Sequence, residues 1–314
     1  RDANLCTVTL TNIIVNEPAA ITGTPVVVDV LCNGGNTGSI TINATAGGVG
    51  PYTYSLNGGP FQGSNVFGSL TAGTYTVTIR DANLCTVTLT NIIVNEPAAI
   101  TGTPAVVDVL CNGGNTGSIT INATAGGAGP YNCSLNGGPF QGSNVFGSLA
   151  AGTYTVTIRD VNLCTVTLTN IIVNEPAAIT GATVIVDISC NGANDGSITI
   201  NGAAGGTAPY QYNLNGGPLQ AGNSFTGLAA GTYTAGIEDA NGCTLAFINL
   251  IVSEPALLTA VDSTVTASCV PGADGEIWIN NAAGGIGPYT YSLNGGPFQA
   301  GNSFTGLNGG AYSV

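Results

Sequence analysis

The sequence predicts an all-β fold, organised as a rod-like tandem array of Ig-like, seven-strand antiparallel β-sandwich domains. Short runs rich in Val, Ile, Thr and aromatic residues alternate with turns rich in Gly, Pro and Asn, a pattern typical of β-strands. No stretch shows the periodicity of an amphipathic helix. The chain also repeats itself. Arg-Asp-Ala-Asn-Leu-Cys begins at Arg1 and again at Arg80, and a near copy begins at Arg159, so the period is 79 residues.

The strands of the first complete unit, A to G, follow from alternation and turn signals. Runs with apolar residues at alternate positions are interpreted as strands. Asn57-Gly58 is typical of the two-residue type I′ turn of a β-hairpin. Leu70-x-x-Gly73-x-Tyr75 predicts a tyrosine corner, in which the phenol is tied to the preceding loop. The predicted strands cover residues 26–31, 39–44, 52–56, 60–62, 65–67, 70–79 and 86–94.

The repeat also predicts the domain boundaries. Residues 1–79 and 80–158 differ at only five positions, so the two must share one fold. A unit of this length can bury a core of its own, which favours separate domains over a solenoid with one continuous core. The predicted parts are strand G of a preceding repeat (1–18), three sandwiches (19–97, 98–176 and 177–255) and a partial sandwich lacking strand G (256–314).

Composition excludes several classes of function. The chain has three Arg, no Lys, no His and a formal net charge of −13, so it offers no basic groove for nucleic acid. Without His, the common Ser-His and Cys-His nucleophilic arrangements are absent, and we expect no enzyme activity, cofactor or metal. The apolar runs are too short to span a membrane, and no signal peptide is expected within this segment.

Four motifs in fixed order resemble the SprB repeat, a family of large cell-surface adhesins of Bacteroidetes that includes gliding-motility adhesins. In the third unit they are residues 190–198, 205–212, 228–233 and 239–243, and each of the other units carries matching stretches. The resemblance implies export by the type IX secretion route and a location at the bacterial cell surface. It implies a non-catalytic stalk or filament segment that serves adhesion or gliding, with neighbouring repeats or copies of itself as partners. It does not identify a surface or glycan ligand.

Two other functions remain open. In one, strand G at the N-terminus of one copy completes the partial last domain of another copy, and this donor-strand complementation builds a fibre. In the other, the chain is an array of carbohydrate-binding modules. That hypothesis rests on Trp278, the only Trp, whose strand neighbours Ile277 and Ile279 point to the opposite face.

Eight of the nine cysteines recur at two positions of the unit, in the turn between strands A and B or in the turn between strands F and G. The resemblance implies an exported chain, in which disulfides are expected. Three pairings are open: Cys32–Cys85 within a unit, Cys85–Cys111 across a linker, and Cys32–Cys164 with Cys111–Cys243 across junctions. The two turns lie at opposite ends of an up-down sandwich, roughly 25 Å apart, whereas disulfide-bonded Cα atoms lie within about 7 Å. We therefore predict the junction pairs, with the within-unit pair as the alternative.

The junction pairing leaves Cys6, Cys85, Cys190 and Cys269 to pair with cysteines beyond this segment. Cys133 replaces Tyr54 of the first unit and is predicted to be a buried free thiol.

Two weaker candidates concern hydroxyl and carboxylate groups. Ser263 lies in Asp-Ser-Thr, a pattern that Bacteroidetes glycosylate on the hydroxyl, and is a candidate for O-glycosylation. Asn-Asp-Gly at 194–196 resembles a fragment of a calcium loop. The first two units carry Thr37 and Thr116 at the position of Asp195, so an ordinary turn is the favoured interpretation.

Overall fold

The structure is a computed structural model that describes residues 1–268 and 272–314, and its regular elements within these ranges are all β-strands. Residues 1–18 contain no strand. The first repeat contains six strands: β1 (Thr22–Val28), β2 (Gly38–Ala46), β3 (Thr53–Leu56), β4 (Val66–Leu70), β5 (Gly73–Arg80) and β6 (Thr86–Val94).

The second and third repeats reproduce these six strands with the same lengths. The second contains β7 (Thr101–Val107), β8 (Gly117–Ala125), β9 (Asn132–Leu135), β10 (Val145–Leu149), β11 (Gly152–Arg159) and β12 (Thr165–Val173). The third contains β13 (Thr180–Val186), β14 (Gly196–Ala204), β15 (Gln211–Leu214), β16 (Ser224–Leu228), β17 (Gly231–Glu238) and β18 (Thr244–Val252). The fourth contributes β19 (Thr259–Val265), β20 (Gly275–Ala283) and β21 (Ser303–Leu307).

Each complete repeat is a sandwich of two three-stranded antiparallel sheets. In the first repeat the strand orders are β1-β2-β4 and β3-β5-β6. The second and third repeats have the equivalent pairs of sheets, and the fourth has the equivalent of the first sheet, β19-β20-β21. The prediction of an all-β tandem array of sandwiches is confirmed.

Two details of the strand prediction are wrong. Seven strands were expected per repeat, but the segment around residues 60–62 forms only an isolated bridge, between Tyr54 and Gln62. The hairpin at Asn57-Gly58 closes this bridge, with φ of 48° and 72° at its two central residues, as a type I′ turn requires. The first strand begins four residues earlier than predicted and includes Pro25, which is tolerated because β1 is an edge strand.

The core of each repeat lies between its own two sheets. On β2 the side chains of Ile40 and Ile42 face Val77 and Ile79 of β5, and all four are at most 1% exposed. The same alternation along β14 and β17 builds the core of the third repeat. Since these cores do not run from one repeat into the next, each complete repeat buries its own apolar face.

The chain divides into two compact units. One comprises residues 1–108 and 117–174, and the other comprises residues 109–116 and 175–314. The short segment 109–116, the A–B turn of the second repeat, is therefore grouped with the third repeat and not with the domain whose strands it joins.

The predicted tyrosine corner has the expected geometry. The hydroxyl of Tyr75 donates a hydrogen bond to the carbonyl oxygen of Thr71 at 2.9 Å, and Tyr154 and Tyr233 make the same contact one and two repeats later. Nowhere in residues 1–268 and 272–314 is there a helix that is long and apolar enough to cross a membrane.

Candidate functional site: the disulfide junction between repeats

The junction is built from two turns and a linker. We call residues 31–37 and their equivalents the A–B turn, and residues 81–85 and their equivalents the F–G turn. In the A–B turn of the first repeat, Gly35 N–H donates to the carbonyl oxygen of Cys32 at 2.9 Å, and Leu31 N–H donates to Thr37 Oγ1 at 2.8 Å. Gly34 has a φ of 70°, a conformation that glycine adopts without strain.

The linker after strand β6 is bound to this turn. Glu96 accepts a hydrogen bond from Gly34 N–H at 2.5 Å, and the amide of Asn33 donates to the carbonyl oxygen of Pro97 at 3.0 Å. The end of β6 is held as well, because Asn95 N–H donates to Asp29 Oδ1 at 2.8 Å. The A–B turn therefore lies at the end of the sandwich from which the chain leaves for the next repeat.

The F–G turn of the second repeat is organised by a buried carboxylate. Asp160 is 1% exposed, and its Oδ1 accepts a hydrogen bond from Cys164 N–H at 2.9 Å. Its Oδ2 accepts one from Ala128 N–H, also at 2.9 Å. One carboxylate thus fixes the position of Cys164 and ties the turn to the loop before β9.

These turns meet at the first disulfide. Cys32 of the first repeat is bonded to Cys164 of the second, with the two Cα atoms 5.5 Å apart. Cys164 is 8% exposed, and its sulfur lies 3.4 Å from the carbonyl oxygen of Leu31. The structure thus brings together the pair that the spacing argument favoured.

The second disulfide repeats this arrangement. Cys111 is bonded to Cys243, again with the Cα atoms 5.5 Å apart and 132 residues apart in sequence. Here the amide of Asn241 makes two contacts, donating to the hydroxyl of Thr207 at 3.0 Å and approaching the carbonyl oxygen of Leu110 at 3.4 Å. Because Cys111 lies between Cys32 and Cys164 in sequence, the two disulfide-closed loops overlap along the chain.

The remaining cysteines have different environments. Within the described part of the chain Cys6, Cys85 and Cys190 are exposed thiols, and their pairing with cysteines outside this segment stays a prediction. Cys269 lies outside the described residues. Cys133 is a buried thiol on β9, and burial raises its pKa, which disfavours the reactive thiolate.

The residues that resembled a calcium loop serve the A–B turn. Asp195 Oδ1 accepts a hydrogen bond from Ser189 N–H at 3.0 Å, the role that Thr37 Oγ1 has in the first repeat. Hydrogen bonds from the hydroxyl and the backbone N–H of Ser189 lower the pKa of Asp195. Thr and Asp are interchangeable here because both place an oxygen where the turn needs an acceptor. Among the described residues, no group of Cys, Asp and Glu is arranged to hold a metal ion.

The buried Asp of the F–G turn was missed by sequence reasoning. Asp81, Asp160 and Asp239 are all buried and accept equivalent hydrogen bonds. The sequence contained a signal for this role. An Asp shortly before a residue in the left-handed conformation is typical of a turn in which the Asp side chain accepts hydrogen bonds from the backbone of the turn. The third residue after it, Leu84 in the first repeat and Gly242 in the third, has a φ of 69° and 79° respectively.

Comparison with protein families places the A–B turn in a known repeat. The SprB repeat model matches residues 24–61, 103–140, 182–219 and 261–298, so each stretch begins in strand A and includes the A–B turn. SprB repeats are found in surface proteins. The chain thus contains four SprB repeats.

Other comparisons add little. No curated protein matches the chain. Among solved structures, three N-terminal domains of the outer capsid protein Hoc of bacteriophage RB49 are 14% identical, with a TM-score of 0.32, covering 72% of this chain and 95% of that one. The S-layer protein rSbsC(31-844) is 12% identical, with a TM-score of 0.22, covering 88% of this chain and 46% of that one. At these scores neither likeness carries an argument about function.

Proposed function

We propose that this array of SprB repeats is a non-catalytic stalk segment of a large secreted cell-surface adhesin, which transmits tension along the chain during adhesion or gliding. The observation that carries the proposal is the pair of disulfides between successive repeats, whose closed loops overlap along the chain. The export implied by the repeat family is consistent with them, because structural disulfides form and persist in oxidising, extracellular environments.

The disulfides connect domains that are already folded. Each complete repeat has its own core, so neither bond is needed to complete a hydrophobic interior. Each bond instead joins the end of one sandwich to the F–G turn of the next. Bonds placed in this way limit how far successive domains can be pulled apart.

Connectivity gives tension two parallel paths between Cys32 and Cys243. One path crosses the first disulfide and follows the backbone from Cys164 to Cys243. The other follows the backbone from Cys32 to Cys111 and crosses the second disulfide. Each path contains 79 residues of backbone, so either one can extend to about 270 Å, whereas the same stretch without disulfides reaches roughly 700 Å.

Single-molecule stretching of the 314-residue chain tests this role. Under oxidising conditions we expect the stretch between Cys32 and Cys243 to extend no further than about 270 Å. A variant with Cys32→Ser and Cys164→Ser should keep that limit, because the second path remains, but its repeats should unfold at lower force. The matched variant with Cys111→Ser and Cys243→Ser should behave in the same way.

Removing all four cysteines should release the full length, an increase of roughly 2.6-fold in extension. The proposal is wrong if the oxidised native chain extends as far as this four-cysteine variant. It is also wrong if each single-bond variant unfolds at the same force as the native chain, because tension would then not be shared.

The donor-strand alternative stays a hypothesis. Residues 7–15 have the same sequence as β6 and β12, and their large apolar side chains, including Leu10 and Val15, are exposed. The fourth repeat has an open groove of about 1270 Å³ lined by residues such as Ile277 and Tyr291. If one copy fills the groove of another, sedimentation should show chains of copies that grow with concentration. A monomer at all concentrations would refute it.

A further inference from the structure

We propose that the outer face of the sheet β19-β20-β21 carries a binding site for a neutral pyranose oligosaccharide with flat ring faces, centred on Trp278. This site would be a feature of the fourth repeat alone, and it does not depend on the stalk function. The direction of the indole ring and the row of residues on either side of it indicate this site.

Trp278 faces outward from the sandwich. Its strand neighbours Ile277 and Ile279 are each 8% exposed and point into the core, whereas Trp278 is 39% exposed. Exposing part of so large an apolar side chain loses the free energy of its burial. Nothing in the packing of the repeat requires it, since the equivalent residues of the other repeats, Thr41, Thr120 and Thr199, are small.

The residues paired with Trp278 differ from those of the first repeat. Across the strands it is paired with Ser263 on one side and Ser303 on the other. In the first repeat the same row reads Val26, Thr41 and Val66. The fourth repeat therefore replaces two branched apolar side chains by small hydroxyls beside the ring, which leaves room for a flat ligand against the indole.

Polar groups above and below the ring complete the site. The Trp278 indole N–H donates to Glu276 Oε2 at 3.0 Å, which fixes the ring on the sheet. The amide of Asn280 donates to Ser263 Oγ at 2.8 Å. Sugars present apolar C–H groups on the ring face and hydroxyls around the edge, so an aromatic surface bordered by a carboxylate, an amide and hydroxyls matches both parts.

The charge of the residues around Trp278 determines which sugars can bind. Glu276 lies beside the ring, and residues 160–314 contain no Lys, Arg or His. An anionic polysaccharide would meet a carboxylate and find no cation to compensate it. We therefore expect neutral sugars with flat ring faces to bind and acidic ones to be excluded.

Intrinsic fluorescence gives a direct test, because Trp278 is the only Trp in the chain. Titration with cellohexaose should shift the emission and saturate near millimolar concentration, as expected for a small exposed site. Titration with alginate oligomers should leave the emission unchanged. If cellohexaose causes no saturable change, or if alginate binds more tightly, the proposal is wrong.

Two variants separate binding from folding. Trp278→Thr restores the residue of the other repeats, and should abolish cellohexaose binding measured by calorimetry while leaving the β-sheet circular dichroism unchanged. In that background, Val184→Ser, Ser197→Glu and Thr199→Trp rebuild the row on the complete third repeat, where Ser224 is already present. Binding should return there, and a rebuilt row that folds but binds nothing would refute the proposed chemistry.

Discussion

The first and second repeats have strands of identical length and nearly identical sequence, but their cores are filled differently. In the first, Tyr54 on β3 is 6% exposed and its hydroxyl donates to Thr45 Oγ1 at 3.1 Å. In the second, Cys133 occupies the same place and has neither the ring nor the hydrogen bond. The comparison shows that the fold of a repeat tolerates the loss of a large core side chain while its strand bounds stay the same.

A second difference lies beside the first. In the first repeat the guanidinium carbon Cζ of Arg80 lies 3.8 Å from the centroid of the Phe61 ring. The Nε of Arg80 donates a hydrogen bond to Thr53 Oγ1 at 3.3 Å. Arg159 of the second repeat keeps this stacking, with its Cζ 3.8 Å from the centroid of the Phe140 ring. Its Nε, however, is buried and has no hydrogen-bond partner among the described residues, because Asn132 replaces the Thr.

Exchanging the core residues should give the largest effect. We expect Cys133→Tyr to stabilise the second repeat by about 2–4 kcal/mol and Tyr54→Cys to destabilise the first by a similar amount, since a buried ring is gained or lost. Hydrogen exchange of peptides that cover residues 128–135 and 49–56 distinguishes the two repeats. Equal protection of both peptides before and after the exchange would contradict the prediction.

The F–G turn is a region in which the two repeats agree, and a change there should affect both. Asp160→Asn would replace one carboxylate oxygen by an NH2 group, and two donors would then face each other at Ala128 N–H. We therefore expect the free energy of unfolding of the second repeat to fall by about 1–3 kcal/mol. Asp81→Asn should lower the free energy of unfolding of the first repeat by the same amount once the disulfides are reduced. Under oxidising conditions Cys164 is bonded to Cys32, which should slow the opening of the second turn, whereas Cys85 is free. Hydrogen exchange of the two turns under both conditions measures this.

Restoring the partner of Arg159 should have a smaller effect. Asn132→Thr recreates the acceptor that Thr53 supplies in the first repeat, and we expect it to stabilise the second by roughly 0.5–1.5 kcal/mol. Urea unfolding of the variant and the native chain measures the change. Thr53→Asn is the matched control and should have the opposite sign.

Acid should weaken the third repeat through its F–G turn. Burial would raise the pKa of the Asp239 carboxyl, but hydrogen bonds from surrounding backbone N–H groups, led by that of Thr207, outweigh burial and lower it. A lowered folded-state pKa means that the stabilisation is complete above the unfolded-state pKa of about 3.9 and is lost as the pH falls through the folded-state value. Thermal unfolding between pH 6 and pH 2 should show this loss, and Asp239→Asn should flatten the curve.

Much of the fold could be predicted from the sequence, because alternation and repetition are local signals. The strand 86–94 and the type I′ turn at Asn57-Gly58 were predicted as they are found. The segment at 60–62 could not be predicted as well, because whether a short run pairs for one residue or for several depends on tertiary contacts. The role of Asp81 was missed because the turn signal around it does not show that its carboxylate is buried and accepts hydrogen bonds from backbone N–H groups.

The disulfides between neighbouring repeats have a consequence for how such an array can change length over generations. Each of the three complete 79-residue units contains one A–B cysteine and one F–G cysteine, and each of the two disulfides joins the A–B cysteine of one unit to the F–G cysteine of the next. Duplication or deletion of a whole unit by unequal recombination between near-identical copies therefore supplies or removes both kinds of cysteine together. The new neighbours meet with complementary partners, so the bonding pattern is inherited without any compensating mutation.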